Sequence, residues 1–267
     1  MDLRSRFGLH QVPFTREIST QNHLPLSFVD EALEALLGCV ERRMCGALIA
    51  PAGTGKTALL RRLCERLPEA RYETTYVKVT GLSKRDMCRE IARACGAESA
   101  GTYASLVDRL QRRFESSLGC EGRRPVLLLD EAHDLRPEVL RMLRVLTNFE
   151  MDSRLVVSII VVGQLPLRRM LAQDEQASIA RRIARYTNLR LLSRDESTRY
   201  IKHRCAVAGA VQAPFDDAAY DAIYELSRGN LRAIDRLALE GLLIADREGH
   251  DVVDTRHITT ARQNLWP

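Results

Sequence analysis

Residues 47–57 read Ala-Leu-Ile-Ala-Pro-Ala-Gly-Thr-Gly-Lys-Thr, a short apolar run that stops at a glycine-rich turn and continues into a helical pattern. This order constrains the chain more than any other feature. A buried strand that feeds a tight loop and then a helix opens a βα crossover, and crossovers of this kind imply a parallel sheet covered by helices. Gly53 and Gly55 let the loop of Pro51, Ala52, Gly53, Thr54 and Gly55 curl its backbone donors around phosphate oxygens. The helix starting near Lys56 aims the positive end of its dipole at the same point. Lys56 is placed to reach β- and γ-phosphates and Thr57 to set its hydroxyl on Mg²⁺, with Ala58 in the first helical turn counted among the nucleotide contacts. Ala50 stands where the pattern G-x-x-x-x-G-K-[ST] begins with glycine, and its small side chain is compatible with the loop.

A second element matches the first. Val126-Leu-Leu-Leu-Asp130-Glu131-Ala-His133 is a run of four apolar residues that ends in two carboxylates. Asp130 at the strand end is expected to hold the Mg²⁺ shell, and Glu131 to polarise the attacking water as a general base. Adjacent residues serve both roles because successive side chains at a strand end face different ways. Together the loop and the carboxylate pair make an ATP and Mg²⁺ site.

The chain has 267 residues, 45% hydrophobic and 28% charged, which suits a globular protein with one large α/β domain and a small satellite. The strongly apolar stretch at 155–163 is too short to span a bilayer, and the N-terminus lacks a basic region followed by an apolar core, so a cytoplasmic location without membrane contact is expected. Seven cysteines without a C-x-x-C pair suggest neither a disulfide framework nor a zinc site, and are read as small apolar side chains. The formal charge of +5 is compatible with a polyanionic partner.

Strands are expected over 47–50, 72–79, 125–130, 154–162 and 187–192, five parallel strands in an α/β core. Ser193 and Glu196 form a capping-box pattern, and beyond them only helical patterns occur, near 195–208, 215–227, 231–246 and 255–264, with breaks at Gly209, Gly229 and Gly249. Residues 1–45 are expected to form an N-terminal segment and leading helix packing on the core, 46–192 the nucleotide-binding domain, and 193–267 an all-helical lid.

Asp130-Glu131-Ala-His133 also occurs in helicases of the DEAH type, but those carry a second RecA-like domain, whereas the chain after His133 ends in helices. The AAA+ pattern requires a third strand ending in a polar sensor, then an arginine finger, then a helical lid with a second sensor. Gln164, after the strand at 154–162, fills the first place beside Glu131. A helix over 176–186 carries Arg181, Arg182 and Arg185, of which one is expected to reach a neighbouring subunit's nucleotide, Arg182 being favoured. Ser227-Arg-Gly-Asn-Leu-Arg232 fits the G-x-x-R pattern of the second sensor, with Arg232 in the first turn of a helix.

At this point the chain resembles the AAA+ ATPases that regulate bacterial DNA transposition, the TniB, TnsC and Mu B kind, together with the related ExeA-like ATPases. The resemblance rests on Phe7-Gly-Leu with Pro13-Phe14, on 50–57, on 127–133, on Val162-Gly-Gln164, on Arg181-Arg-Ile and on Gly229-Asn-Leu-Arg232. It implies an ATP-dependent oligomer, ring or helical filament, that assembles on double-stranded DNA and recruits or activates a transposase, with a target-selection protein as a further partner. It also implies that the region between Lys56 and Asp130 lines the channel of the assembly, which makes Lys84, Arg85 and Thr102 candidate contacts to the DNA backbone. The competing reading of that region is a solvated helix balanced by ion pairs at i to i+4, with Asp86 and Glu90 diluting the cations. Two other functions stand beside transposition. One is an ExeA-like secretion or assembly ATPase, in which a membrane segment and a wall-binding region, neither seen in this chain, are expected; the other is a signalling or chaperone-type ATPase without DNA contact.

Overall fold

In the computed structural model, which describes residues 3–265, the chain runs α1 (Leu3–Phe7), α2 (Ser27–Glu41), β1 (Cys45–Ile49), α3 (Lys56–Glu65), β2 (Tyr72–Lys78), α4 (Lys84–Ala94), α5 (Tyr103–Gly119) and β3 (Arg124–Asp130). It continues through α6 (Pro137–Leu146), β4 (Ser158–Gly163), α7 (Leu165–Leu171), α8 (Ala177–Ala180) and β5 (Ile183–Asn188). It ends in α9 (Arg194–Val207), α10 (Asp217–Ser227), α11 (Leu231–Glu248) and α12 (Thr255–Leu265). Two compact units result. One holds Leu26–Pro51 and Lys56–Leu189; the other holds residues 3–25, Ala52–Gly55 and the described chain from Arg190.

The first unit is an α/β domain whose five strands are ordered β2-β3-β4-β1-β5, all paired in parallel. Every residue of β1 and β4 is buried, as is β3 from Pro125 on. Central strands of a parallel sheet are covered on both faces, so they read as unbroken apolar runs. Alternate side chains serve opposite faces. Leu127, Leu129, Ile159 and Val161 join the cores of α4, α5 and α6, while Leu128, Ile160 and Val162 join those of α2 and α3. Full burial of each such side chain stabilises the domain by about 1.5–3 kcal/mol. The strand order sets the ends of β1, β4 and β3 side by side, with Ile49 opposite Gly163 and Leu129 opposite Val161.

Two strands differ from expectation. β4 begins at Ser158 rather than 154, because Arg154 is taken up in an isolated antiparallel bridge with Phe149 and Leu155 faces solvent. β5 covers 183–188 rather than 187–192, and it displaces the helix expected over 176–186, of which only the four residues of α8 remain. An edge strand is held from one side by backbone bonds to β1 and needs little apolar character, so exposed Arg185 and Tyr186 are tolerated within it.

The second unit is helical. Ser193 Oγ accepts from the Glu196 N–H at 3.2 Å while Glu196 Oε2 accepts from the Ser193 N–H at 2.8 Å, the capping box expected there. Asp216 and Asn230 cap α10 and α11 by accepting from the N–H groups of Ala219 and Ala233, each worth about 1 kcal/mol. Residues 3–25 belong to this unit, so only the later part of the expected 1–45 segment, α2, packs on the sheet. The reason lies in Leu3, Phe7, Leu9 and Phe14, all buried. Phe14 meets Phe215 edge-on at 6.2 Å, and Arg204 Nη2 donates to the Thr15 carbonyl at 2.7 Å. Met1, Asp2, Trp266 and Pro267 of the expected domains lie outside the described residues. Cys39, Cys45, Cys88, Cys95 and Cys205 are buried free thiols. No helix among the described residues is long and apolar enough to cross a membrane.

Candidate nucleotide site

The loop expected to hold phosphate follows β1 directly. Gly53 and Gly55 take φ of +74° and +91°, a region that a side chain makes costly. Lys56, the first residue of α3, is buried, and its Nζ donates to the carbonyls of Pro51 at 3.1 Å and Ala50 at 3.4 Å. These two acceptors anchor the ammonium at the start of the helix. Thr54 is buried, Thr57 is exposed, and Ala58 lies in the first turn of α3.

Asp130 ends β3 and is 2% exposed. Three donors converge on it. Thr57 Oγ1 donates to Oδ2 at 3.0 Å, Tyr76 Oη to the same oxygen at 3.1 Å, and the Glu131 N–H to Oδ1 at 2.8 Å. A carboxylate this deeply buried needs such partners. Tyr76 was anticipated only as part of a strand; it reaches Asp130 because β2 and β3 pair in register, Lys78 opposite Asp130. Burial, and then the Asp130 charge beside it, push the Tyr76 phenol up to about 12, so at neutral pH it acts as a donor.

Glu131 has φ of +57° and ψ of +34°, the left-handed conformation, and turns the chain away from the strand. Its Oε2 is buried without a hydrogen-bond partner and lies 3.3 Å from His133 Nδ1. On its other side, His133 Nε2 is 2.8 Å from the amide nitrogen of Gln164, which immediately follows β4. An amide nitrogen only donates, so Nε2 accepts, and the proton of the neutral ring sits on Nδ1, facing Glu131. Gly163 permits this approach: a Cβ there would come within 3.0 Å of the His133 backbone nitrogen. Glu131, His133 and Gln164 thus form a row across the ends of β3 and β4. The sequence singled out Glu131 and Gln164 but treated His133 only as part of a tetrad; the link needs the adjacency of β3 and β4, which no local pattern encodes.

Within the helical unit, the loop tip Ala52–Gly55 meets the start of α11. Asn230 Oδ1 caps α11 by accepting from the Ala233 N–H at 3.2 Å, and its Nδ2 donates to the Ala52 carbonyl at 2.7 Å. The Arg232 N–H donates to the Gly53 carbonyl at 3.3 Å, while the Arg232 side chain is exposed. Asn230 lay inside the motif read for Arg232 and received no role of its own. Its position as helix cap was the available signal.

The arginines after α8 are arranged otherwise than expected. Arg182, favoured as the finger, is tied within its own unit: Nη2 lies 2.7 Å from Asp152 and Nη1 donates to the Thr147 carbonyl at 3.2 Å. Arg181 and Arg185 are exposed. Of the residues considered for DNA, Lys84 and Arg85 are exposed on the first turn of α4, with Lys84 Nζ 5.5 Å from the centre of the Tyr103 ring and Arg85 Nε donating to the Gly101 carbonyl at 3.0 Å. Thr102 Oγ1 caps α5 by accepting from the Ser105 N–H at 3.3 Å.

Residues 40–171 match the family model of an AAA domain. The chain is 33% identical over 255 residues to general secretion pathway protein A of Aeromonas hydrophila, covering 92% of this chain and 46% of that protein, so it spans about half the length of this curated relative. Among solved structures it is similar to the ORC2 protein of Aeropyrum pernix in ADPNP–ADP complexes, with a TM-score of 0.71 at 16% identity over 94% of this chain and 70% of the other. It is likewise similar to the ORC1 protein of the same organism in complex with DNA, with a TM-score of 0.70 at 18% identity over 94% and 68%. The RuvB Holliday junction branch migration motor of Thermotoga maritima gives a TM-score of 0.59 at 19% identity over 91% and 70%. The structural likenesses speak for the fold. The five-stranded parallel sheet and the glycine loop after β1 lie within or beside the stretch 40–171 that matches the AAA domain model.

Proposed function

We propose that this chain is an ATP-hydrolysing assembly switch, in which bound nucleotide links copies of the protein and hydrolysis loosens them. The observation that carries the reading is the pairing of Thr57 with Asp130 at 3.0 Å beside the buried, unpartnered carboxylate oxygen of Glu131. These groups fit a triphosphate and a divalent ion: a hydroxyl and a carboxylate for Mg²⁺, a lysine at the loop, and a base candidate still lacking a donor. In this reading Pro51 to Ala58 cradle the phosphates, Thr57 and Asp130 hold the ion, and Arg232 is the candidate second sensor. When bound, Mg²⁺ supplies neutralisation of phosphate charge. Glu131 orients and deprotonates water, and Gln164 sets the His133 ring beside the carboxylate. Arg182 is engaged within its own chain, so Arg181 or Arg185 is the better candidate to act on a neighbour's nucleotide.

Titration of a fluorescent ATP analogue together with steady-state phosphate release tests the site. Lys56→Ala is expected to abolish nucleotide binding, whereas Glu131→Gln retains binding and lowers hydrolysis by about 10²–10⁴-fold while stabilising assemblies. Equal nucleotide affinity in the wild type and Lys56→Ala sinks the assignment.

For the purpose of assembly, the motif resemblance and the exposed cations Lys84 and Arg85 support a cytoplasmic regulator that forms a ring or filament on double-stranded DNA and engages a transposase. A second reading, an ATPase for secretion or envelope assembly, is favoured by the 33% identity to general secretion pathway protein A. Negative-stain imaging with a slowly hydrolysed ATP analogue, with and without duplex DNA, separates them. Assemblies that need both ligands support the first reading, and assemblies indifferent to DNA support the second.

A further inference from the structure

The end of α11 and the start of α12 bring two histidines and a glutamate together. His250 Nδ1 is 2.9 Å from His257 Nε2, and Glu248 Oε2 lies 3.5 Å from the former and 3.3 Å from the latter. We infer that Glu248, His250 and His257 form a binding site for a divalent transition ion of the zinc class, separate from the nucleotide site.

The spacing suits one ion. Ligand atoms held about 2.1 Å from a tetrahedral centre stand about 3.4 Å apart, so both glutamate distances already match. Only the two histidines must open, by about 0.5 Å on the same geometry, and His250 lies on an exposed turn. That turn is built by Gly249, whose φ of +78° reverses the chain so that the His250 N–H returns to the Ala245 carbonyl at 2.9 Å. Arg6 steadies it by donating to the Gly249 carbonyl at 3.0 Å and to Asp251 at 2.9 Å.

A second observation points to a ligand. His257 is 2% exposed, and its other ring nitrogen, Nδ1, lies 2.8 Å from Asp254 Oδ1. Asp254 Oδ2 is in turn clamped by Arg256, at 3.0 Å from Nε and 2.9 Å from Nη2. A carboxylate on the far nitrogen of a histidine is the arrangement that orients metal-bound imidazole and raises its basicity. The Asp254 N–H donates to the same nitrogen at 2.9 Å, so without metal Nδ1 serves as an acceptor. Metal binding selects the tautomer in which Nδ1–H donates to Oδ1 and Nε2 turns its lone pair to the ion. The competing state is a plain hydrogen bond between the two rings. Two imidazoles and one carboxylate suit Zn²⁺, Co²⁺ or Ni²⁺ rather than Mg²⁺, which prefers oxygen ligands. Glu248 and His250 are exposed, leaving room for water as a further ligand.

The test uses untagged full chain, stripped with chelator and free of nucleotide. Calorimetric titration with Zn²⁺ is expected to show one ion per chain, with Co²⁺ giving visible bands of a nitrogen and oxygen site. Glu248→Ala and His250→Ala, both at exposed positions, each weaken binding at least about tenfold, and Asp254→Asn, which keeps a helix-capping side chain, weakens it about 10–100-fold. Zn²⁺ raises the melting temperature of the wild type and not of His250→Ala. Absence of stoichiometric binding overturns the inference. So does unchanged affinity in His250→Ala, or a thiolate charge-transfer band that puts the ion on cysteine.

Discussion

Gln164 Nε2 lies 2.8 Å from His133 Nε2, and the opposite nitrogen of that ring faces the Glu131 carboxylate at 3.3 Å. In the proposed mechanism Gln164 therefore acts on Glu131 through the imidazole between them. Gln164→Ala and His133→Ala are expected to lower the ATPase turnover about 10- to 100-fold, since a misoriented base costs rate. Nucleotide affinity should stay within about twofold of the wild type, because neither residue belongs to the loop. Steady-state phosphate release set against a fluorescent nucleotide titration checks the split. A parallel loss of affinity would mean that the row supports the fold of the loop instead.

Arg182 makes a charged contact with Asp152 and donates to the Thr147 carbonyl, so its removal should be felt as stability. Asp152 is largely exposed, which limits the ion pair, and Arg182→Ala is expected to cost about 1 kcal/mol. Arg181→Ala and Arg185→Ala should leave the melting temperature unchanged. Mixing each of these two variants with Lys56→Ala chains then asks for the arginine acting in trans: the variant that is inactive alone and regains hydrolysis beside Lys56→Ala chains, whose own arginine is intact, carries it.

Glu196 is held by Arg190 at 2.7 and 2.8 Å and by the Ser193 N–H, and these contacts pull its carboxyl from the usual 4.5 down to about 2. A carboxyl lowered on folding stabilises the native state above its unfolded pKa, and the contribution fades as pH falls toward the folded value. The stability gap between the wild type and Glu196→Gln in urea denaturation should thus be flat above pH about 5 and close between about 4.5 and 2. A gap that widens on acidification would contradict the capping geometry.

Replacing Lys84 and Arg85 together by alanine should weaken any duplex binding and flatten its salt dependence by up to about two units of slope. Basal ATPase should persist, since Lys84 contacts the Tyr103 ring and Arg85 the Gly101 carbonyl rather than the glycine loop or the carboxylates. Electrophoretic shifts of one duplex at several salt concentrations provide the measurement. Binding that is lost without a change in salt slope would point to an indirect effect, through the Arg85 bond to Gly101.

Much of the fold could be read in the chain because its determinants are local. The glycine loop, the apolar run ending in Asp130 and Glu131, and the capping box at Ser193 each declare a strand end or a helix start by composition alone. The helices α9 to α12 begin within two residues of where their caps and breaks put them. β5 escaped because an edge strand carries exposed residues, and the apolar stretch beyond it looked more like a strand than Ile183–Asn188 does. Tyr76, His133 and Asn230 escaped for a different reason. Each acquires its partner through the pairing of elements distant in sequence, and a hydroxyl, an imidazole or an amide has no periodicity to betray it.

Glu131 sits at a left-handed backbone angle that glycine or asparagine would adopt with less strain. Holding a longer side chain there costs about 1–3 kcal/mol. A library of variants sorted only for heat resistance should therefore enrich replacements at this position that are hardier and catalytically silent. The residue proposed to do the chemistry is one that thermal selection alone would discard, so stabilising this protein by directed evolution will require an activity screen run alongside.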